Sequence, residues 1–140
     1  MRVILDNNIW ISFLIGKQLR LLAEVFTRTD ISVYVCDELI REFKDVARRP
    51  KISRYVSNDD IASTLHLMEA LCTYVKIDVK STSPVRDVND LYLLSLADSV
   101  KADYIVTGDE DLLVLRKHNS TSIVTYRYFQ SLLPSSPGNG

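Results

Sequence analysis

Short β-branched and aromatic runs alternate along the chain with stretches whose apolar residues recur at helical spacing, and this alternation restricts it to a few α/β architectures. Arg2 to Leu5 reads as a first strand, followed by helical stretches that start at Trp10 to Leu14 and continue over Leu19 to Phe26. Ile31 to Cys36 is a second strand. Asp37 stands as the N-cap of a helix running to about Arg49, where Pro50 stops it. Asn58 caps the next helix, through about Cys72, with Ile61, Leu65, Met68 and Leu71 on one face. Thr73 to Ile77 gives a third strand and Asp78 to Arg86 a polar loop; Asp87 then caps a helix to about Val100. Tyr104 to Thr107 and Ser122 to Thr125 complete five strands, and Tyr126 to Leu133 forms a last helix. Strands separated by helices need crossover connections, which gives an α/β fold with a central, mainly parallel five-stranded sheet and helices on both faces. This domain spans residues 1–133, and residues 134–140 form a flexible tail.

A chain of 140 residues is one domain by length and buries roughly 68% of its unfolded surface, so a sizeable core is available. Hydrophobic residues make up 46% and charged ones 25%, which excludes both a disordered chain and a disulfide-built miniprotein. The formal net charge of −1 argues against an overall basic nucleic-acid glove. Local patches still count, and Arg41, Lys44, Arg48, Arg49, Lys51 and Arg54 are concentrated in one short stretch. No signal-peptide pattern follows Met1-Arg2 and no apolar run approaches the ~20 residues needed to cross a bilayer, so a cytoplasmic protein without membrane contact is expected. Cys36 and Cys72 match no Cys-x-x-Cys pattern and read as reduced, mostly buried thiols.

Asp6 follows the first strand and Asp109 lies two residues past Thr107 at the end of the fourth. If those strands lie side by side and parallel, both carboxylates meet at the rim where open α/β sheets build ligand sites. Asp87 and Asp90 occupy the N-cap and N3 positions of a helix; capping is the first reading for Asp87, and Asp90 can turn inward as a ligand. Glu42 borders the apolar face formed by Leu39, Ile40, Phe43 and Val46; it is a solvated face residue unless its carboxylate enters the rim from the side. Crowded carboxylates repel unless a cation neutralises them. Mg²⁺ takes such oxygens, keeps several waters and can drive phosphodiester hydrolysis. The remaining chemistry-bearing residues form no other site. His66 and His118 read as surface residues outside any zinc spacing, no nucleophile elbow or phosphate loop is present, and Trp10, Phe13 and Leu14 read as core.

Taken in order, Val3-Ile4-Leu5-Asp6-Asn7-Asn8, Asp37-Glu38-Leu39-Ile40-Arg41-Glu42-Phe43 with Arg48-Arg49-Pro50-Lys51, Arg86-Asp87-Val88-Asn89-Asp90, and Ile105-Val106-Thr107-Gly108-Asp109-Glu110-Asp111 resemble the motifs of a PIN domain. More narrowly, the chain resembles the PIN toxins of bacterial toxin–antitoxin systems, the VapC-type proteins. The resemblance implies a three-layer PIN-like domain and a metal-dependent ribonuclease whose acidic pocket is Asp6, Glu42, Asp90 and Asp109. In that reading Asp6, Asp90 and Asp109 hold Mg²⁺ or Mn²⁺. Asn8 and Thr107 orient ligands or water, and Asp87 and Asp111 are outer acids. Arg48, Arg49 and Lys51 form a basic helix end suited to RNA. The resemblance also implies a homodimer and a cognate antitoxin partner. Asn7 departs from the family's usual Thr, and Val88-Asn89 replaces a common Pro-Asp pair; neither removes a family carboxylate.

Three other readings remain. A structure-specific DNA nuclease has the same acidic rim, and an inactive PIN-fold binding module has the same fold. A signalling receiver domain fits poorly, because Asn7-Asn8 stands where an acidic pair is needed.

Overall fold

The computed structural model describes residues 1–78 and 91–133. Among these residues the chain order is β1 (Arg2–Leu5), α1 (Asn7–Ile15), α2 (Leu19–Phe26), β2 (Ser32–Val35), α3 (Asp37–Ala47), α4 (Pro50–Ser53), α5 (Asn58–Leu71), β3 (Thr73–Tyr74), α6 (Leu91–Val100), β4 (Tyr104–Val106), α7 (Glu110–Leu113), β5 (Lys117–His118), β6 (Thr121–Val124) and α8 (Tyr126–Ser131).

The strands form one sheet in the order β3-β2-β1-β4-β6-β5. Every pairing is parallel except β5 with β6, which is antiparallel. β1 and β4 run in register, with Val3 opposite Tyr104, Ile4 opposite Ile105 and Leu5 opposite Val106. Val3, Ile4, Leu5, Ile105 and Val106 are buried, as expected of central parallel strands covered on both faces. From β1 the chain moves outward to β2 and β3, then returns to the other side of β1 as β4. The strand order therefore reverses between β1 and β4, and the loops leaving their carboxyl ends diverge and open a crevice there. This topology positions the site.

The core beneath that crevice is apolar. Trp10 packs on Phe26 with ring centroids 5.1 Å apart, and Leu22, Leu39, Phe43, Leu93, Leu94 and Leu96 are fully buried in the same core. Trp10 and Leu14 are core as expected, and Phe13 stacks edge-on against Tyr126 at 4.9 Å. Cys36 and Cys72 are free thiols, and burial pushes them up to about 11 and about 12, so both stay neutral. No helix among the described residues is long and apolar enough to cross a membrane.

Several local expectations change. The described residues form six strands rather than five, because Lys117–His118 pairs with β6 across a tight turn in which Asn119 takes a left-handed conformation (φ 53°). His118 is not a surface residue. Its ring is 9% exposed and lies 3.0 Å from Asp98, whose other oxygen accepts from the Asn119 amide at 2.8 Å. The N-cap of α3 is Cys36, in extended conformation, and Asp37 and Glu38 fall in the first turn, where the helix dipole favours carboxylates. That helix ends at Ala47. Arg49, held extended by the proline after it, then starts α4 with Pro50 at its first position. Ser57, not Asn58, caps α5 through a capping box. Its hydroxyl accepts from the Asp60 N–H at 3.1 Å, and its own N–H donates to the Asp60 carboxylate at 2.9 Å. On α5 Thr64 replaces Leu71 in the buried face, and the third strand shortens to Thr73–Tyr74. Thr107 lies just beyond β4, and α8 stops at Ser131. The expectations for Asp87, Asp90 and the 134–140 tail lie outside the described residues.

Candidate active site

Asp6 is the first residue past β1, and its backbone N–H donates to the Val106 carbonyl at 2.9 Å, so the strand pairing itself fixes its position. Its side chain is 5% exposed. The Thr107 hydroxyl donates to Asp6 Oδ2 at 2.7 Å, and the Asn8 amide donates to the same oxygen at 3.2 Å. The Asn8 amide also reaches Thr107 Oγ1 at 3.3 Å, while Asn8 Oδ1 accepts from the Gly108 N–H at 3.2 Å. Thr107 Oγ1 in turn accepts from the Asp109 N–H at 3.0 Å. Asn8 and Thr107 thus tie the turn after β1 to the turn after β4. Asp109 is the N-cap of α7, and its Oδ1 accepts from the Asp111 N–H at 2.9 Å.

Glu42 reaches the same crevice from α3. Its Oε1 accepts from the Tyr92 hydroxyl at 2.9 Å and from the Asn7 amide at 3.0 Å, and that amide also donates to the Leu39 carbonyl at 3.0 Å. Asn7 is buried, and its own Oδ1 has no hydrogen-bond partner among the described residues. The result is a cleft of about 540 Å³ whose lining combines the polar Asp6, Asn7, Asn8, Glu42, Asp109 and Arg49 with the apolar Ile11, Ile15, Val46 and Ile52. A larger groove of about 1070 Å³, lined in part by Phe13, Leu21, Val25, Tyr126 and Leu133, lies against α1, α2 and α8, and none of the acids singled out in the sequence faces it.

The electrostatics follow from burial and crowding. Desolvation pushes the Asp6 carboxyl from 3.8 to about 6, and the neighbouring Glu42 and Asp109 charges push the same way; the Thr107 hydrogen bond opposes them. Burial, reinforced by the Glu42 and Asp6 carboxylates, drives the Tyr92 hydroxyl far above its ordinary range, so it stays a donor.

Asp6, Asn8, Glu42, Thr107 and Asp109 are therefore brought together, and the alternative for Glu42, a solvated helix face, is set aside. Asp87 and Asp90 lie outside the described residues. Asp111 is half-buried in the first turn of α7 and touches the site through its backbone. Of the basic residues, Arg49 lines the cleft and pairs with Asp45 at 3.1 Å, while Arg48 and Lys51 are exposed beside it. Sequence reasoning missed Tyr92, although a tyrosine inside an apolar helical run needs a partner for its hydroxyl. It also missed that Asn7 braces Glu42.

Among the described residues, no three His, Cys, Asp or Glu side chains converge closely enough to hold a metal ion by themselves. The donors that line the cleft are nonetheless all hard oxygens, the set that suits Mg²⁺ or Mn²⁺ with part of its water shell retained. Asp6 is a buried acid beside two others, which a cation would relieve. The donor chemistry fits such an ion.

Residues 2–111, from β1 into α7, match the PIN domain. The chain belongs to the PIN domain family. Among solved structures, this PIN domain resembles the crystal structure of VapBC2 from Rickettsia felis bound to a DNA fragment from their promoter, with 17% identity over 88% of this chain and 97% of that chain and a TM-score of 0.54. At that identity the likeness is one of fold, and it agrees with the PIN-like, mainly parallel sheet expected from the sequence. No curated protein sequence matches this PIN domain significantly.

Proposed function

We propose that this PIN domain is a metal-dependent endoribonuclease and the toxin of a toxin–antitoxin pair. The observation that carries the reading is the meeting of Asp6, Glu42 and Asp109 in one cleft at the point where the strand order reverses. In this reading Asp6, Asp90 and Asp109 hold Mg²⁺ or Mn²⁺. When bound, the cation supplies Lewis acidity at the phosphodiester.

The chain's own residues do the rest. Thr107 and Asn8 hold Asp6 in place through its Oδ2, which leaves Oδ1 for a ligand. Glu42 keeps Oε1 engaged with Tyr92 and Asn7 and offers Oε2 to take the proton of the attacking water. Arg49, with Arg48 and Lys51 beside it, engages phosphates of the RNA strand. Asp87 and Asp111 are outer acids that shape the field around the site. Ile11, Ile15, Val46 and Ile52 supply the apolar part of the lining. The fold likeness to VapBC2, solved bound to a DNA fragment from its promoter, supports an antitoxin partner; in this reading the toxin is also a homodimer.

The test is cleavage of a mixed structured RNA pool by the purified protein with Mg²⁺, Mn²⁺ or EDTA, with Asp6→Asn and single-stranded DNA alongside. RNA cutting that needs the metal and disappears in Asp6→Asn is expected. Cutting of DNA alone, or RNA cutting that persists in EDTA, would overturn the proposal.

A further inference from the structure

Glu42 is the only cleft acid of the described residues that comes from a helix flank instead of a strand end, so nothing in the sheet fixes its side chain. Two side chains do so instead. The Tyr92 hydroxyl and the Asn7 amide both donate to Oε1, at 2.9 and 3.0 Å, and Oε2 has no hydrogen bond among the described residues. Asn7 is anchored independently, because its amide also holds the Leu39 carbonyl one turn before Glu42. Tyr92 comes from α6, which packs against α3, and among the described residues its hydroxyl donates to α3 only at Glu42. Its hydroxyl is therefore a strut between the two helices that ends on the carboxylate.

We propose that Tyr92 is a positioning residue for the reaction, fixing the Glu42 carboxylate so that Oε1 is occupied and Oε2 faces the cleft. This rests on the nuclease reading above for its kinetic consequence, though not for its geometric one. A glutamate has three rotatable bonds, and one held by a single donor samples several poses. Two donors on one oxygen leave a single orientation, and a base that is correctly aimed is what general-base catalysis needs. The bland alternative is that Glu42 merely satisfies a buried tyrosine. In that case removing the hydroxyl changes stability and leaves the carboxylate where it was.

Tyr92→Phe separates the two, since it keeps the ring and its packing. In the metal-free protein, the ¹³C signal of the Glu42 side-chain carboxyl should shift and broaden, while that of Asp109 stays in place. In single-turnover cleavage of the preferred RNA, kcat should fall roughly tenfold, near the lower end of what loss of a hydrogen bond to a charged group produces, with KM unchanged. On a Glu42→Gln background, Tyr92→Phe should have no further effect on kcat. An unchanged Glu42 carboxyl signal with a lowered melting temperature, or equal losses of kcat in the two backgrounds, would overturn the assignment. If the wild-type protein cuts no RNA at all, the nuclease reading fails, and the carboxyl signal alone decides the role of Tyr92.

Discussion

Replacing Asp6 with Asn should stabilise the metal-free protein at neutral pH, although Asp6 lies at the centre of the site. Burial pushes this carboxyl from 3.8 to about 6. Because the folded value is raised, the contribution of Asp6 to stability is fully present below 3.8 and is lost as pH rises through 6. At pH 7 the ionised, buried group therefore costs the fold about 3 kcal/mol, at about 1.4 kcal/mol per tenfold change in the proton equilibrium. Asn mimics the neutral acid. Both the Thr107 and Asn8 donors converge on the same oxygen, Oδ2, so an Asn that places its carbonyl there keeps both bonds. Thermal unfolding in EDTA should show the variant melting up to ~10 °C above wild type at pH 7 and at the same temperature as wild type near pH 3.5. Added Mg²⁺ should raise the wild type only. A variant less stable than wild type at pH 7 in EDTA would refute the reasoning, as would an equal gain at both pH values.

Other perturbations follow from the same geometry. Thr107→Val removes the 2.7 Å donor to Asp6 and the acceptor of the Asp109 N–H, and should lower stability in urea by about 1–3 kcal/mol; a change below about 0.5 kcal/mol would contradict it. Arg49→Ala and Lys51→Ala should each weaken RNA binding and lower the slope of log affinity against log salt by about 0.7. The exposed Arg49–Asp45 pair should add little to stability, so an unchanged salt slope in either variant removes that residue from the RNA path. Ser57→Ala breaks the capping box of α5 and should cost about 1 kcal/mol in thermal unfolding while cleavage stays at the wild-type rate.

The architecture was legible because buried parallel strands and amphipathic helices write different periods into a sequence. Arg2–Leu5 and Leu19–Phe26 match their expected bounds, and the rim shared by Asp6 and Asp109 follows once β1 and β4 are neighbours. What was illegible depends on contacts between segments remote in sequence. The two-residue strand Lys117–His118 has too few residues to show a period and is held by β6 and by the bond from His118 to Asp98. Caps were misplaced by one residue at Cys36 and Ser57, since several polar residues in a row can each serve and only the backbone angles choose. Glu42 bordered an apolar face in the sequence, and its entry into the site depends on Asn7 and Tyr92, from two other helices. Asn7, which departs from the family's usual Thr, has a working role here, because its amide braces the same glutamate.

The central claim is that the cleft carboxylates hold a divalent cation. Calorimetric titration of Mn²⁺ into the metal-free protein, with Asp6→Asn/Asp109→Asn alongside, tests it most directly. The account predicts saturable binding by the wild type, with the heat of binding abolished in the double variant while its circular dichroism spectrum stays that of a folded protein. Equal binding by both proteins, or none by the wild type, would contradict it.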